Sequence, residues 1–287
     1  MQLGVVFPQT EIGNDPSVIR DYAQAAEQAG YEHLLAFDHV LGADRDRPGG
    51  FQGPYDYETP FHEPFTLFGY LAGVTEQLEL VTGVIILPQR QAALVAKQTA
   101  QLHALSGGRL RLGVGVGWNA VEFEGLGENF HNRGARIEEQ IALMRALWRD
   151  PVVSFEGRWH RVTKAGINPL PPGGVIPIWM GGMSDPVIER TGRIADGWFP
   201  QVREPDDLRA AVERVQAAAS TAGRDPSEIG IEARVSVSDP AAAGEVVERA
   251  RAFEQAGATH VSVNTMGAQF TPQQHIDAIR AFAEVSR

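Results

Sequence analysis

Apolar and polar positions along this chain follow two alternating periods from end to end. Short apolar runs with a period near two, at Leu3–Phe7, Leu34–Phe37, Leu78–Ile86 and Leu110–Val114, read as strands. Between them apolar residues recur at helical spacing. The first such stretch opens at Asp15-Pro16, a capping residue followed by a proline suited to the first helical position. It carries Val18, Ile19, Tyr22, Ala23 and Ala26 on one face and stops at Gly30. The same logic predicts helices over Pro64–Thr75, over Ala92–Leu105 (closed by Ser106-Gly107-Gly108) and over Arg136–Trp148. Further on, strands at Pro177–Met180, Gly197–Phe199, Ile229–Val237 and His260–Asn264 alternate with helices at Pro186–Ile194, Pro205–Ala222, Ala243–Ala256 and Pro272–Val285.

Eight strand-then-helix pairs with a helix last are the count of an α/β (β/α)8 TIM barrel. Alternation alone would also suit a doubly wound open sheet. The count, the length of 287 residues and the lack of a composition break favour one barrel domain over 1–287. The connections after the second strand (38–63) and the fourth (115–134) are long, and both leave the carboxyl ends of strands, where barrel enzymes build their sites. An insertion at about 151–176 contains Phe155-Glu-Gly-Arg-Trp159, which reads as a hairpin. It follows a helix, so part of it should start on the opposite face.

Composition narrows the chemistry. The chain has no cysteine, which excludes disulfides, thiolate metal sites and a thiol nucleophile. A net charge of −11 argues against nucleic acid or an anionic membrane as partner. No apolar run is long enough to span a bilayer and the N-terminus reads as a strand, so cytoplasmic localisation is the expectation. The only lysines, Lys97 and Lys164, fall in a predicted helix and a polar loop, poor places for a Schiff base. The eight histidines show no metal-binding spacing, and no nucleophile elbow is present.

The most informative stretch is "RLRLGVGVGWNAVEF" at 109–123. Gly115, Gly117 and Ala120 match the G-x-G-x-x-A dinucleotide fingerprint, but that motif belongs to a first strand–helix turn. Here it follows the fourth strand, and no helix is predicted before Arg136. The glycines either let bare backbone approach a flat ligand at the barrel mouth or serve a turn's own geometry. Asp38-His39 closes the second strand, where His39 could shuttle a proton and Asp38 accept from a ring N–H. Gly83 lies inside a strand, which suits a close approach. Met180-Gly181-Gly182-Met183-Ser184-Asp185 joins a strand to a helix and suits a phosphate, or is a glycine turn with a serine cap. Arg133 and Arg136 could reach an anion or lie on the surface. Phe51, Tyr55, Tyr57, Phe61 and Trp118 could form an apolar lid.

"AQAAEQAGYEHLLAFDHVLG" (23–42), the stretch from Leu78 to Gly127, "RGARIEEQIALMRALW" (133–148) and "PIWMGGMSDPVIERTGRIADGWFP" (177–200) give the chain a resemblance over nearly its full length. It resembles the bacterial luciferase-like family and, within it, the oxidoreductases that use coenzyme F420, a deazaflavin. The resemblance implies a (β/α)8 barrel with insertions. It implies that Asp38 and His39 lie beside the deazaflavin, and that a non-proline cis peptide backing the ring falls at Gly83–Val84. By the same resemblance Gly115, Gly117, Trp118 and Asn119 border the cofactor, and Met180, Gly181, Gly182 and Ser184 take its phosphate. One departure stands out: sugar-phosphate dehydrogenases of this branch carry a catalytic glutamate directly after the glycine run, where this chain has Trp118, with Glu122 four residues later. The expected function is F420-dependent hydride transfer to or from a small organic substrate. The alternatives are an FMN-dependent monooxygenase and a flavin-like ligand binder without turnover. A homodimer is a family-level expectation.

Overall fold

The computed structural model describes residues 1–286. Its strands are β1 (Gln2–Val6), β2 (His33–Ala36), β3 (Glu79–Thr82), β4 (Ile85–Ile86), β5 (Leu110–Gly115), β6 (Val153–Glu156), β7 (Arg161–Ala165), β8 (Ile178–Gly181), β9 (Gly197–Phe199), β10 (Gly230–Ser236) and β11 (His260–Asn264). Its helices are α1 (Pro16–Gln28), α2 (Pro64–Ala72), α3 (Ala92–Leu105), α4 (Ala120–Gly125), α5 (Arg133–Arg149), α6 (Asp185–Ile194), α7 (Pro205–Thr221), α8 (Ala243–Gln255) and α9 (Pro272–Ser286).

The parallel strands run β3-β2-β1-β11-β10-β9-β8-β5 around the molecule, and β3 pairs with β5 to close the ring. This is the eight-stranded (β/α)8 barrel. The third stave departs from the single strand predicted over Leu78–Ile86. Val81 faces Arg111 but Ile85 faces Val114, so one extra residue sits between β3 and β4. The Gly83–Val84 peptide in that gap is cis.

Two helix expectations need correction. A helix does begin soon after the glycine run: Asn119 caps α4, its Oδ1 accepting from Val121 N at 3.1 Å. The next helix starts at Arg133 rather than Arg136, because its first turn tolerates Gly134. By contrast α3 spans the residues its periodicity predicts, and Asp15 caps α1 by accepting from Ser17 N at 2.8 Å. The insertion does contain a hairpin, the antiparallel pair β6–β7, and Glu139 on α5 clamps its tip by accepting from the backbone N–H groups of Arg158, Trp159 and His160.

Strand alternation sorts the side chains. One set packs outward against the helices in a continuous core that includes Leu34, Leu80, Leu112, Ile178 and Val263. The inward set begins, near the amino end, with a polar network. Arg111 bridges Glu79 at 2.7 Å and Glu232 at 2.8 Å, and Glu232 also holds His33 at 3.1 Å and Ser262. Above it lies a small apolar layer of Val6, Leu35 and Val81 with Phe37 and Phe199.

Candidate active site at the carboxyl end of the barrel

Above that layer the mouth is cleared of side chains on one side. Gly83 follows β3, Gly115 ends β5 and Gly181 ends β8. A Cβ at Gly83 would lie 2.3 Å from the Leu35 side chain; at Gly115 and Gly181 it would lie 2.6 Å and 2.9 Å from Val84. These positions hold bare backbone because Leu35 and Val84 occupy the space a side chain would need. A cavity of about 60 Å³ opens here, lined by Leu35, Gly83, Val84, Gly181, Phe199 and, across the mouth, Arg234.

Two long loops meet beside this mouth through a single buried carboxylate. Glu122, on the first turn of α4, receives His39 Nδ1 at 2.7 Å and Val40 N at 2.7 Å on Oε1, and Gln89 Nε2 at 3.0 Å on Oε2. Burial pushes the Glu122 carboxyl up, but the hydrogen bonds from His39, Gln89 and Val40 outweigh it and hold the group below its ordinary value. His39 Nε2 is buried and has no hydrogen-bond partner among the described residues. Its ring lies 5.0 Å from that of Phe61 and 5.6 Å from that of Tyr55. A histidine oriented at one nitrogen by a carboxylate, with the other nitrogen unused, is the arrangement of a proton-transfer group.

Asp38 is placed otherwise than its neighbour. Its Oδ2 accepts from Ile86 N at 3.0 Å and its Oδ1 from Arg90 at 2.8 Å. Burial raises its pKa against the pull of Arg90 and the Ile86 N–H. Both oxygens are thus engaged, and Asp38 fastens the segment that follows the cis peptide.

The remaining expected residues divide. Gly83, Val84 and Gly181 line the mouth cavity together. Gly117 takes a positive φ of 72° at the turn into α4, and Arg133 braces that turn, its Nε donating to Gly117 O at 3.2 Å. Arg133 also donates to Phe130 O at 2.7 Å and lies over the Phe130 ring, so its guanidinium is committed to the loop. Arg136 is likewise committed, to Glu128 and Pro88 O. Asn119 Nδ2 is buried without a partner. Trp118 is half exposed and stacks on Phe51, ring centroids 6.2 Å apart, joining the two loops. Met180 is fully buried and offers only backbone, while Gly182 N and the exposed Ser184 precede α6; Ser184 makes no side-chain capping bond. Asp185 on the first turn of α6 pairs with Arg214, which offsets its charge at that helix end.

Sequence reasoning missed Arg234 and left Glu122 without a role. For Arg234 the signal was present: Gly230, Glu232, Arg234 and Ser236 alternate with Ile231, Ala233, Val235 and Val237, so a polar set faces the lumen. Arg234 is exposed to solvent at the mouth, and the barrel wall around its stem partly desolvates the guanidinium and lowers its pKa.

A closed parallel barrel with a glycine-cleared mouth and an anchored histidine beside it defines the class, a (β/α)8 oxidoreductase. The model of the luciferase-like monooxygenase family matches residues 1–284, and the chain belongs to that family. An uncharacterized Mycobacterium tuberculosis protein is 33% identical over 97% of both chains. A 5,10-methylenetetrahydromethanopterin reductase of Methanolobus tindarius is 29% identical over 81% of this chain and 64% of its own length. Among solved structures, an F420-dependent secondary alcohol dehydrogenase in complex with an F420–acetone adduct superposes with a TM-score of 0.80 at 20% identity, covering 100% of this chain and 99% of that one. No helix among the described residues is long and apolar enough to cross a membrane.

Proposed function

We propose that this chain is an F420-dependent oxidoreductase that moves a hydride between the deazaflavin and a carbonyl or alcohol carbon of a small organic substrate. The observation that carries the reading is the His39–Glu122 pair, with Nε2 unused, beside a mouth floored by bare backbone at Gly83, Gly115 and Gly181. The reductase relative and the F420-dependent dehydrogenase of the same fold support the choice of cofactor.

The residues present fit the edge of a planar tricycle, because bare backbone at Gly83 and Gly181 and the side chains of Leu35, Val84 and Phe199 border an open cavity at the barrel mouth. Gly83 and Val84 would back the ring, Gly115 to Asn119 would border it, and the glycine turn at Gly181-Gly182 with Ser184 ahead of α6 would take the phosphate, although Gly182 N donates to Phe199 O at 3.4 Å. When bound, F420 supplies a two-electron hydride donor or acceptor. The protein supplies the rest. His39 gives or takes the proton at the substrate oxygen through Nε2, and Glu122 fixes the ring by its contact at Nδ1. Phe51, Tyr55, Phe61 and Trp118 exclude water over the mouth. Trp118 stands where the sugar-phosphate branch has its glutamate, so that reaction is not proposed.

Titrating the purified protein with F420 and, separately, with FMN, following fluorescence quenching, tests the assignment. Micromolar binding of F420 is expected; binding of FMN alone would overturn it. The family's description as monooxygenases favours FMN with oxygen activation as the second reading.

A further inference from the structure

Around the barrel, β10 stands four strands from β3 in either direction, so Arg234 lies opposite Gly83 and two strands from Gly181 on β8. Among the described residues its guanidinium has no hydrogen bond or ion pair, and it lies 5.3 Å from the Phe37 ring. Among the described residues it is the one cation lining the mouth cavity. The nearest carboxylate along its strand, Glu232, is already engaged by Arg111, His33 and Ser262. Of the other lining side chains Leu35, Val84, Phe199, Pro200 and Ala233 are apolar, Glu232 and Ser262 are tied up with each other, and Gln201 is polar and uncharged.

We propose that Arg234 anchors a carboxylate of the substrate, and that the substrates are therefore small monoanionic organic acids with an apolar body. This rests on the hydride-transfer reading for what happens to the substrate, not for its binding. Arginine presents a planar fork that matches a carboxylate's two oxygens. A single guanidinium above the Glu232 carboxylate suits a monoanion better than a phosphate dianion. The Arg234 side of this cavity of about 60 Å³, across from the Gly83–Val84 wall assigned to the ring, admits a carboxylate-sized end group and leaves the body of the molecule in the mouth.

Calorimetric titration of the full chain, with and without F420, using benzoate and propionate as probes and benzamide as the neutral analogue of benzoate, tests the proposal. At least one of the two acids should bind the wild type, and benzamide should bind more weakly than benzoate by about tenfold or more. Arg234→Gln should weaken the acid by about tenfold or more and leave F420 affinity within about twofold, and Arg234→Lys should retain part of the acid affinity. Circular dichroism melts matching wild type exclude unfolding as the cause. Equal acid affinity in wild type and Arg234→Gln overturns the proposal, as does failure of both acids to bind. Loss of F420 affinity in place of acid affinity assigns Arg234 to the cofactor and also overturns it. So does inorganic phosphate outcompeting the acids. Arg234-dependent acid binding in a protein that does not bind F420 sustains the anchor and defeats the cofactor reading instead.

Discussion

Glu122 Oε1 sits 2.7 Å from His39 Nδ1, although the two residues belong to different loops on different staves of the barrel. The same oxygen also takes the Val40 N–H, so the carboxylate fixes the backbone that carries the histidine as well as its ring. In the proposed reaction His39 is the group that meets substrate, and Glu122 acts through it.

That division predicts different kinetics for the two substitutions. His39→Ala should lower kcat by about a hundredfold or more while F420 affinity changes little. Glu122→Gln keeps the size and one acceptor but loses the carboxylate that holds the ring at Nδ1. It should lower kcat by a smaller factor than His39→Ala, with F420 affinity little changed. A kcat equal to wild type would leave the carboxylate no part in holding His39 for turnover.

The mouth glycines separate stability from binding. A Cβ at Gly113 would lie 1.9 Å from the backbone oxygen of Thr82, which cannot yield, whereas one at Gly181 meets only the methyls of Val84. Gly113→Ala should cost about 3 kcal/mol or more in chemical denaturation. Gly181→Ala should cost about 1 kcal/mol, yet weaken cofactor binding by pushing Val84 toward the mouth. Equal stability losses would argue against a cleared mouth.

How far the sequence discloses this site depends on the kind of signal. Period-two and helical patterns locate the staves and α3, because burial on one face writes itself into the spacing. The extra residue between β3 and β4 leaves no such trace; Leu78–Ile86 keeps its apolar run straight through it, and only the family resemblance points to the cis peptide. Asn119 with Glu122 three positions on has the spacing of a capping box, a readable sign that α4 starts there, but six residues are too few for periodicity to register. In the fold the Glu122 side chain serves His39 instead, a pairing across 83 positions that no local pattern carries. Asp38 shows the converse: adjacency to His39 suggests a shared role, and the fold gives its oxygens to Arg90 and Ile86.

The amino end of the barrel should govern stability without touching turnover. Arg109, just before β5, donates to Ser106 O, Thr75 Oγ1, Thr75 O, Leu78 O and Ala72 O at 2.6 to 3.1 Å. These oxygens close the ends of α2 and α3, so Arg109→Ala leaves several carbonyls unpaired together. A loss of about 2–4 kcal/mol is expected in urea unfolding, with kcat per folded molecule unchanged. A kinetic defect in the folded variant would contradict a purely structural brace.

Acid should unfold the protein through the polar floor of the barrel. Glu232 is fully buried, which pushes its carboxyl up, but His33 and Arg111 outweigh burial and hold it at about 2 against an ordinary 4.5. A carboxylate with a depressed pKa contributes stability that is complete above the unfolded value and lost as pH falls from 4.5 toward 2. On linkage grounds the contribution is on the order of 3 kcal/mol at neutral pH. His260, lowered from 6.5 to about 3 by burial and then by Arg111 and His33, stays neutral in the fold and works in the same direction: its share is lost as pH falls below 6.5. Wild-type unfolding free energy should therefore decline in two overlapping stages between pH 6.5 and 2. Glu232→Gln should be less stable at pH 7 and flatter below pH 4.5, and His260→Asn flatter between pH 6.5 and 4.5. Urea melts across this range check both, and a wild-type curve level down to pH 4 would contradict the assigned ionisation of the floor.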